Sequence, residues 1–315
     1  MHIFVVVLQS VLVMLGIGVI GFWITRRGIV PEHVLSFLSR LAIDIALPCM
    51  VFSSTLINFD PSKLPGWWQL PLWWAGFAAV SLVLTIVTSL ISKKETHSEF
   101  AMNLFFQNGL FMPLILISYI FGTNSPFIPQ LYIFIIFHPV IYFSAYQLFF
   151  RNKSRQKMQW SRVFNPVLIA TVLAVVLRLW GINKFLPDFI TSIFQIMGAM
   201  ASPLIMIILG GSLYLDFKQK GKIYYKEIIK FMAVKNVIFP LVFLGLLVWL
   251  KPAYGIAMLF ILEAAVGPIT GTPIMVERAG GNKSIANQFV LSSFIFSIIS
   301  IPAIFWLFSR YFPIP

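Results

Sequence analysis

Charge is scarce in this chain. Of its 315 residues, 10% are charged and 59% are hydrophobic, and the mean hydropathy is +0.91. Soluble domains carry about 25% charged residues, so water-soluble architectures are excluded. Cysteine is nearly absent: Cys49 stands alone in an apolar stretch, which rules out an internal disulfide. The four histidines, His2, His33, His97 and His138, form no Cys/His cluster and no HExxH motif for zinc. No glycine-rich phosphate loop ending in Gly-Lys-Ser/Thr is present, so ATP-driven chemistry by this chain is not expected. Acids and histidines are too few to supply the Ser/His or paired-acid set of a membrane enzyme. The expectation is a protein that is not an enzyme and carries no cofactor. The first apolar run, Ile3 to Ile24, follows no basic segment and ends in Arg26-Arg27 without a small-residue cleavage site. It reads as a retained span, not a signal peptide.

Long apolar runs are what the chain has in abundance. Ten stretches are long enough to cross a hydrocarbon layer of about 30 Å as helices, with approximate limits 3–25, 33–56, 68–92, 99–122, 127–149, 164–182, 187–213, 228–250, 253–277 and 285–309. A porin-type barrel would show alternating segments of about 10 residues instead. Trp67-Trp68 and Trp73-Trp74 suit an interfacial belt. The formal charge of +13 sits in short loops, which argues for membrane topology and against a nucleic-acid partner. Most Lys and Arg follow the odd-numbered spans, from Arg26-Arg27 through Lys93-Lys94 to Arg278 and Lys283. Only Lys63, Arg178, Lys184, Lys251 and Arg310 fall on the other side, while Arg40 and Lys235 lie within spans. The positive-inside rule then places both termini outside a cytoplasmic membrane. The basic loop Arg151 to Arg162 is expected to meet anionic lipid headgroups.

That loop divides the chain into five spans before it and five after, residues 1–155 and 156–315. Pro48 and Pro203 are 155 residues apart, and so are Pro113 and Pro268. Because five is odd, the second copy enters the membrane from the opposite side. Such inverted repeats are typical of secondary transporters that bind substrate near the midplane at interrupted helices. The expected fold is therefore an all-α polytopic membrane protein of ten transmembrane helices, built as two inverted five-helix repeats.

The stretches "QNGLFMP" in span four and "VGPITGTP" in span nine predict broken helices. Proline removes a backbone donor and clashes with the preceding turn, and glycine costs about 1 kcal/mol relative to alanine in a helix. Irregular backbone at membrane depth is tolerated only inside protein or along a cavity. The broken ends offer N–H groups to an anion and carbonyls to a cation. Candidate substrate contacts are thus Asn103, Gln107, Asn108, Gly109 and Pro113 from span four, with Gly267, Pro268 and Thr270 from span nine. Thr272 and, in span seven, Gln195 are similar candidates. Asn103 and Gln107, four residues apart, are expected on one helix face. Pro48, Pro113, Pro203 and Pro268 are candidate hinges.

Ionisable groups inside spans default to functional hypotheses. Asp44 lies four residues after Arg40, so the two form an ion pair or Asp44 faces a cavity as a protonatable carboxylate. Glu263, one turn before the span-nine break, either ligates a coupling cation such as sodium, carries a proton, or is a structural acid paired with Lys235. His138, beside Pro139, is either a proton relay or a packed neutral imidazole.

Several motifs together resemble the auxin efflux carrier family, which includes bacterial organic-acid permeases. They are "IALPCMVFSS", "NGLFMPL" followed by "FG", "NPVLIA", "ASPLIMIILGGSL", "KNVIFP", "EAAVGPITGTPIMVERAGG" and "LSSFIFSIISIP". Span four departs from the family pattern, with Asn108 close to Pro113 and Phe111 and Met112 in place of smaller groups. The resemblance implies a fold similar to bile acid–sodium symporters. Helices 1, 2, 6 and 7 would form a scaffold, and helices 3–5 and 8–10 a transport domain in which helices 4 and 9 cross at their breaks. It implies a permease for a small organic anion, a mono- or dicarboxylate, working by elevator-like alternating access with a proton or sodium as coupling ion. A homodimer in the bilayer is a further implied state. A cation/proton antiporter of the same fold and a membrane-embedded ligand sensor are the alternatives.

Overall fold

A backbone surrounded by lipid must satisfy its own polar groups, and an apolar sequence does this as helix. The computed structural model of the chain describes residues 2–62, 64, 66–150, 166–218 and 223–313. The basic loop Arg151 to Arg162, Asn165 of the "NPVLIA" motif and the junction at residues 155–156 lie outside the described residues.

The described residues form helices and turns. In chain order the helices are α1 (His2–Arg26), α2 (Glu32–Asn58), α3 (Leu70–Ser89), α4 (His97–Phe105), α5 (Phe111–Phe121), α6 (Phe127–Phe134) and α7 (His138–Ala145). After the mid-chain loop come α8 (Pro166–Leu179), α9 (Asp188–Ala199), α10 (Ala201–Lys218), α11 (Tyr225–Leu250), α12 (Tyr254–Ala265), α13 (Thr272–Arg278) and α14 (Lys283–Tyr311). Among the described residues, six helical stretches are long and apolar enough to cross a membrane; they begin at Val7, Glu32, Trp67, Asp188, Tyr225 and Lys283. Their outward faces are aliphatic, with Leu82, Val83, Ile86 and Val87 of α3 and Ile295 and Ile299 of α14 exposed. Trp23, Trp68, Trp180 and Trp249 are exposed at or just beyond helix ends, as an interfacial belt requires. These features make the chain a multi-pass membrane protein.

Prolines explain where the helices deviate. α2 contains a π-helical turn, Ala42–Ala46, just before Pro48, and α11 contains another, Val234–Ile238, just before Pro240. A wider turn absorbs the carbonyl that a proline cannot serve. Before Pro203 the helix instead breaks at Met200, between α9 and α10. The stretch 127–149, expected as one span, is interrupted between Phe134 and His138. Pro139 has no N–H for the Ile135 carbonyl, and His138 donates to it at 2.8 Å instead, tightening the turn.

α1 runs along α10 and also packs on α14 and α5, and α2 packs on α8, α9, α10 and α6. α3 packs on α4 and α6, and α14 on α4, α11, α12 and α13. This last set of helices has aromatic cores. Phe77 stacks on Phe243 at 4.5 Å with Phe260 edge-on to both, and Phe231 stacks on Phe289 at 4.5 Å with Phe100 edge-on. Two buried acids tie its ends. The Glu227 carboxylate accepts from the Lys93 backbone N–H, the Thr96 hydroxyl and Lys230, and Glu99 accepts from the Asn282 N–H at 2.7 Å. Asn282 in turn caps α14 through the Ser284 and Ile285 N–H groups.

Between α1 and α10 the spacing is set by glycine. A Cβ on Gly210 would lie 1.7 Å from the Gly18 carbonyl oxygen, and one on Gly21 would lie 2.2 Å from that of Ile207. Small residues let membrane helices approach this closely. Gly16, on the same helix, has nothing within 4 Å of its Cβ position. Gly210→Val is therefore expected to abolish monodisperse protein, while Gly16→Val leaves it intact. Size-exclusion profiles of the two variants in detergent check this.

Candidate functional site

The chain's two sharpest interruptions lie against each other. α4 stops at Phe105 and α5 starts at Phe111, while α12 stops at Ala265 and α13 starts at Thr272. Gln107 and Pro268 form an isolated antiparallel bridge between the two gaps. The Asn108 N–H donates to the Gly267 carbonyl at 2.8 Å, and the Ile269 N–H donates to the Phe106 carbonyl at 3.0 Å. Each break thus satisfies polar groups that the other exposes. Pro113 and Pro273 fall in the first turns of α5 and α13, where a missing N–H costs nothing.

Side chains then finish the arrangement. The Asn108 carbonyl oxygen accepts from the Phe111 N–H at 3.2 Å and so caps α5. Gln107 Nε2 donates to Glu263 Oε2 at 3.1 Å, linking the two breaks through a second contact. Glu263 is completely buried, and its Oε1 has no hydrogen-bond partner. Gly109 is pressed against that carboxylate, since a Cβ there would sit 2.5 Å from Oε2. Lys235, in the π-helical turn of α11, which packs on α12, is 1% exposed. Its neighbour Asn236 exchanges hydrogen bonds with Ser293, accepting from the hydroxyl at 2.8 Å and donating to the backbone carbonyl at 3.2 Å. Ser293 lies under Gly267, whose Cβ position is 3.0 Å from the serine hydroxyl.

Of the residues singled out by sequence, the crossing gathers Gln107, Asn108, Gly109, Gly267, Pro268 and Glu263. Thr270 lies half-buried in the second gap, and Thr272 is buried with an unpartnered hydroxyl. Asn103 is buried, with its amide donating to the Glu99 carbonyl at 2.8 Å and its Oδ1 unpartnered. It does not share a helix face with Gln107, because α4 ends between them. Asp44 is exposed in the π-helical turn of α2, and among the described residues it makes no ion pair with Arg40. The widened turn begins right after Arg40-Leu41 and changes the register that would have joined them. His138 is buried against the Trp74 ring, centroids 5.8 Å apart, with Nε2 unpartnered.

Pro203 belongs to a different feature, while Pro48 follows the π-helical turn of α2. A cavity of about 450 Å³ lies between α2, the α9–α10 break and the end of α5. Ser53, Ser54, Ser118, Asn124, Gln195 and Ser202 line it, and none of its lining residues is Asp, Glu, Lys, Arg or His. Apart from Gln195, these residues escaped the sequence reading. The signal that pointed to them was the run of small polar residues in otherwise apolar spans, such as Ser53-Ser54. Nothing local in sequence marked Ser293 as the support of Gly267.

Comparison with known proteins follows the geometry. Residues 6–161 and 150–305 each match the model of a family described as "Membrane transport protein". A stretch of 107 residues, 33% of this chain, is 27% identical to the Uncharacterized transporter YBR287W of Saccharomyces cerevisiae. The match spans only 25% of that protein's length.

Gly109→Ala is expected to push the Glu263 carboxylate off Gln107, with the loss of one buried hydrogen bond to a charged group, about 1.5–3 kcal/mol. Combined with Glu263→Gln, the two changes are expected to be non-additive by about 1 kcal/mol. Thermal unfolding of both single variants and the double variant measures the coupling.

Proposed function

The chain belongs to the membrane transport protein family, and from that premise we propose that it is a secondary active transporter for a small organic anion, a mono- or dicarboxylate. The observation that carries this reading is the back-to-back pairing of two helix breaks around Gln107 and Pro268. Broken helices at membrane depth are a recurrent way to hold a polar solute inside apolar protein. Here the α5 N-terminus and the amides of Gln107 and Asn108 provide donors, and Thr270 and Thr272 add hydroxyls. The 155-residue proline offset and the motif resemblance support a ten-span inverted repeat with both termini outside.

On that topology the 450 Å³ cavity at Ser54, Ser118 and Gln195 opens toward the outer side, between the helices proposed as scaffold and those proposed as mobile. Its neutral hydroxyls and amides suit an anion held by dipoles, without a fixed cation to trap it. Elevator-like movement of α3–α7 and α11–α14 against α1–α2 and α8–α10 would carry the crossing from one face to the other. Glu263 is the proposed coupling carboxylate, through a proton or a cation. Asp44, exposed on α2, is the weaker candidate.

A second reading, cation/proton antiport, is favoured by one observation, the buried Glu263 and Lys235 beside the crossing. Uptake of labelled malate and a panel of other carboxylates into proteoliposomes, under proton or sodium gradients, separates the two. Carboxylate accumulation is expected, with Glu263→Gln lowering gradient-driven uptake about tenfold or more and Asp44→Asn leaving it near native. Proton–cation exchange with no carboxylate movement under any gradient would replace the organic-anion reading with antiport.

A further inference from the structure

Asp44 poses a problem of place. It is exposed in the π-helical turn of α2, and its neighbours Ile43 and Ile45 are exposed with it. Its depth follows from a close contact. A Cβ on Gly211 of α10 would lie 2.7 Å from Thr25 Oγ1 and 2.8 Å from Leu35 Cδ1, so Leu35 of α2 sits level with Thr25 of α1. Thr25 adjoins Arg26-Arg27, which close the apolar run of α1 and mark one membrane face. Asp44 comes two and a half turns after Leu35, about 13 Å deeper at about 1.5 Å per residue. That is near the middle of a hydrocarbon layer of about 30 Å. Arg40, about 7 Å in, has a stem long enough to snorkel toward headgroups. Asp44 is too short to do so, and a carboxylate facing lipid at that depth is costly.

Neither Asp44 nor Arg40 has a side-chain hydrogen bond or ion pair among the described residues. The 450 Å³ cavity is lined from other positions of α2, Met50, Ser53, Ser54 and Ile57. Leu47, Val51 and Phe52, past the π-helical turn, are buried, so the uncovered patch is local. It presents one acid and one base, a turn apart, among the exposed Phe37, Ile43 and Ile45. Such a patch is complementary to itself. All copies of a membrane protein share one orientation, so a twofold axis along the bilayer normal sets two α2 helices side by side, parallel and at equal depth. Asp44 of each copy then lies about 6 Å in height from the partner subunit's Arg40, a span that an arginine side chain covers. We propose that this face of α2 is the contact between two copies of the chain, with Arg40 of each paired to the partner subunit's Asp44. A second copy brings equal charge of both signs, so the covered patch is neutral. The widened turn that parts Arg40 from its own Asp44 leaves both free for these pairs. The inference rests on the membrane-spanning fold and not on the transport reading.

The test is thiol cross-linking of the full chain in liposomes at low protein density, in a Cys49→Ala background that removes the single cysteine. Phe37→Cys is expected to give a cross-linked dimer, and Val83→Cys, exposed on the lipid-facing side of α3, is expected to give none. Arg40→Asp leaves two acids on the face, and Asp44→Arg leaves two bases. Each, added to Phe37→Cys, should lower the dimer yield about tenfold through like-charge repulsion. Reconstituted together under different tags, these two variants should cross-link to each other at near the starting yield. Cross-linking no greater at Phe37→Cys than at Val83→Cys overturns the proposal. So does a dimer whose yield ignores both charge changes, or a mixture of the two variants that does not pair. If a variant with one sign of charge does not fold, the swapped variant, Arg40→Asp with Asp44→Arg, decides. Dimer near the starting yield supports the proposal, and a swapped variant that is monomeric or unfolded overturns it.

Discussion

The structure depends on backbone polar groups having nowhere to go. Two helices are interrupted deep in an apolar protein, and each interruption leaves N–H and carbonyl groups without helical partners. Water and lipid cannot serve them there. The solution is reciprocal: the Asn108 N–H serves Gly267, and the Ile269 N–H serves Phe106. The breaks therefore exist as a pair, and any arrangement that separates them leaves both unsatisfied. This pairing makes α4, α5, α12 and α13 one mechanical unit.

Around that unit the packing is graded. On the inner flank, rigid aromatic stacks and the Glu99 and Glu227 ties hold α3, α4, α11 and α14 to the crossing. On the outer flank, α2, α9 and α10 leave a 450 Å³ cavity lined by short polar side chains. Contact is thus dense where helices keep their neighbours and sparse where α5 faces α2 and the α9–α10 break.

Charge follows the same economy. With so few ionisable residues, each one inside the apolar region is informative. Glu263 is held from two directions, by Gln107 and by the close approach that Gly109 permits. Asp44 and Arg40, equally isolated in sequence, are exposed on α2.

By itself the sequence determined the class of protein, the apolar stretches that become helices, the two interruptions and the family. These are consequences of composition and of proline and glycine chemistry, which act within a few residues along the chain. It also singled out Gln107, Asn108, Gly109, Pro268 and Glu263, because polar residues next to a break in an apolar run are visible locally. Only the tertiary structure decided that Gln107 meets Pro268 and that Ser293 lies under Gly267. It also decided that Asn103 and Gln107 part company at the end of α4, and that the interruption before His138 divides an expected span. Which groups far apart in the chain meet is set by how helices pack and which turns widen, and no local pattern of residues encodes that.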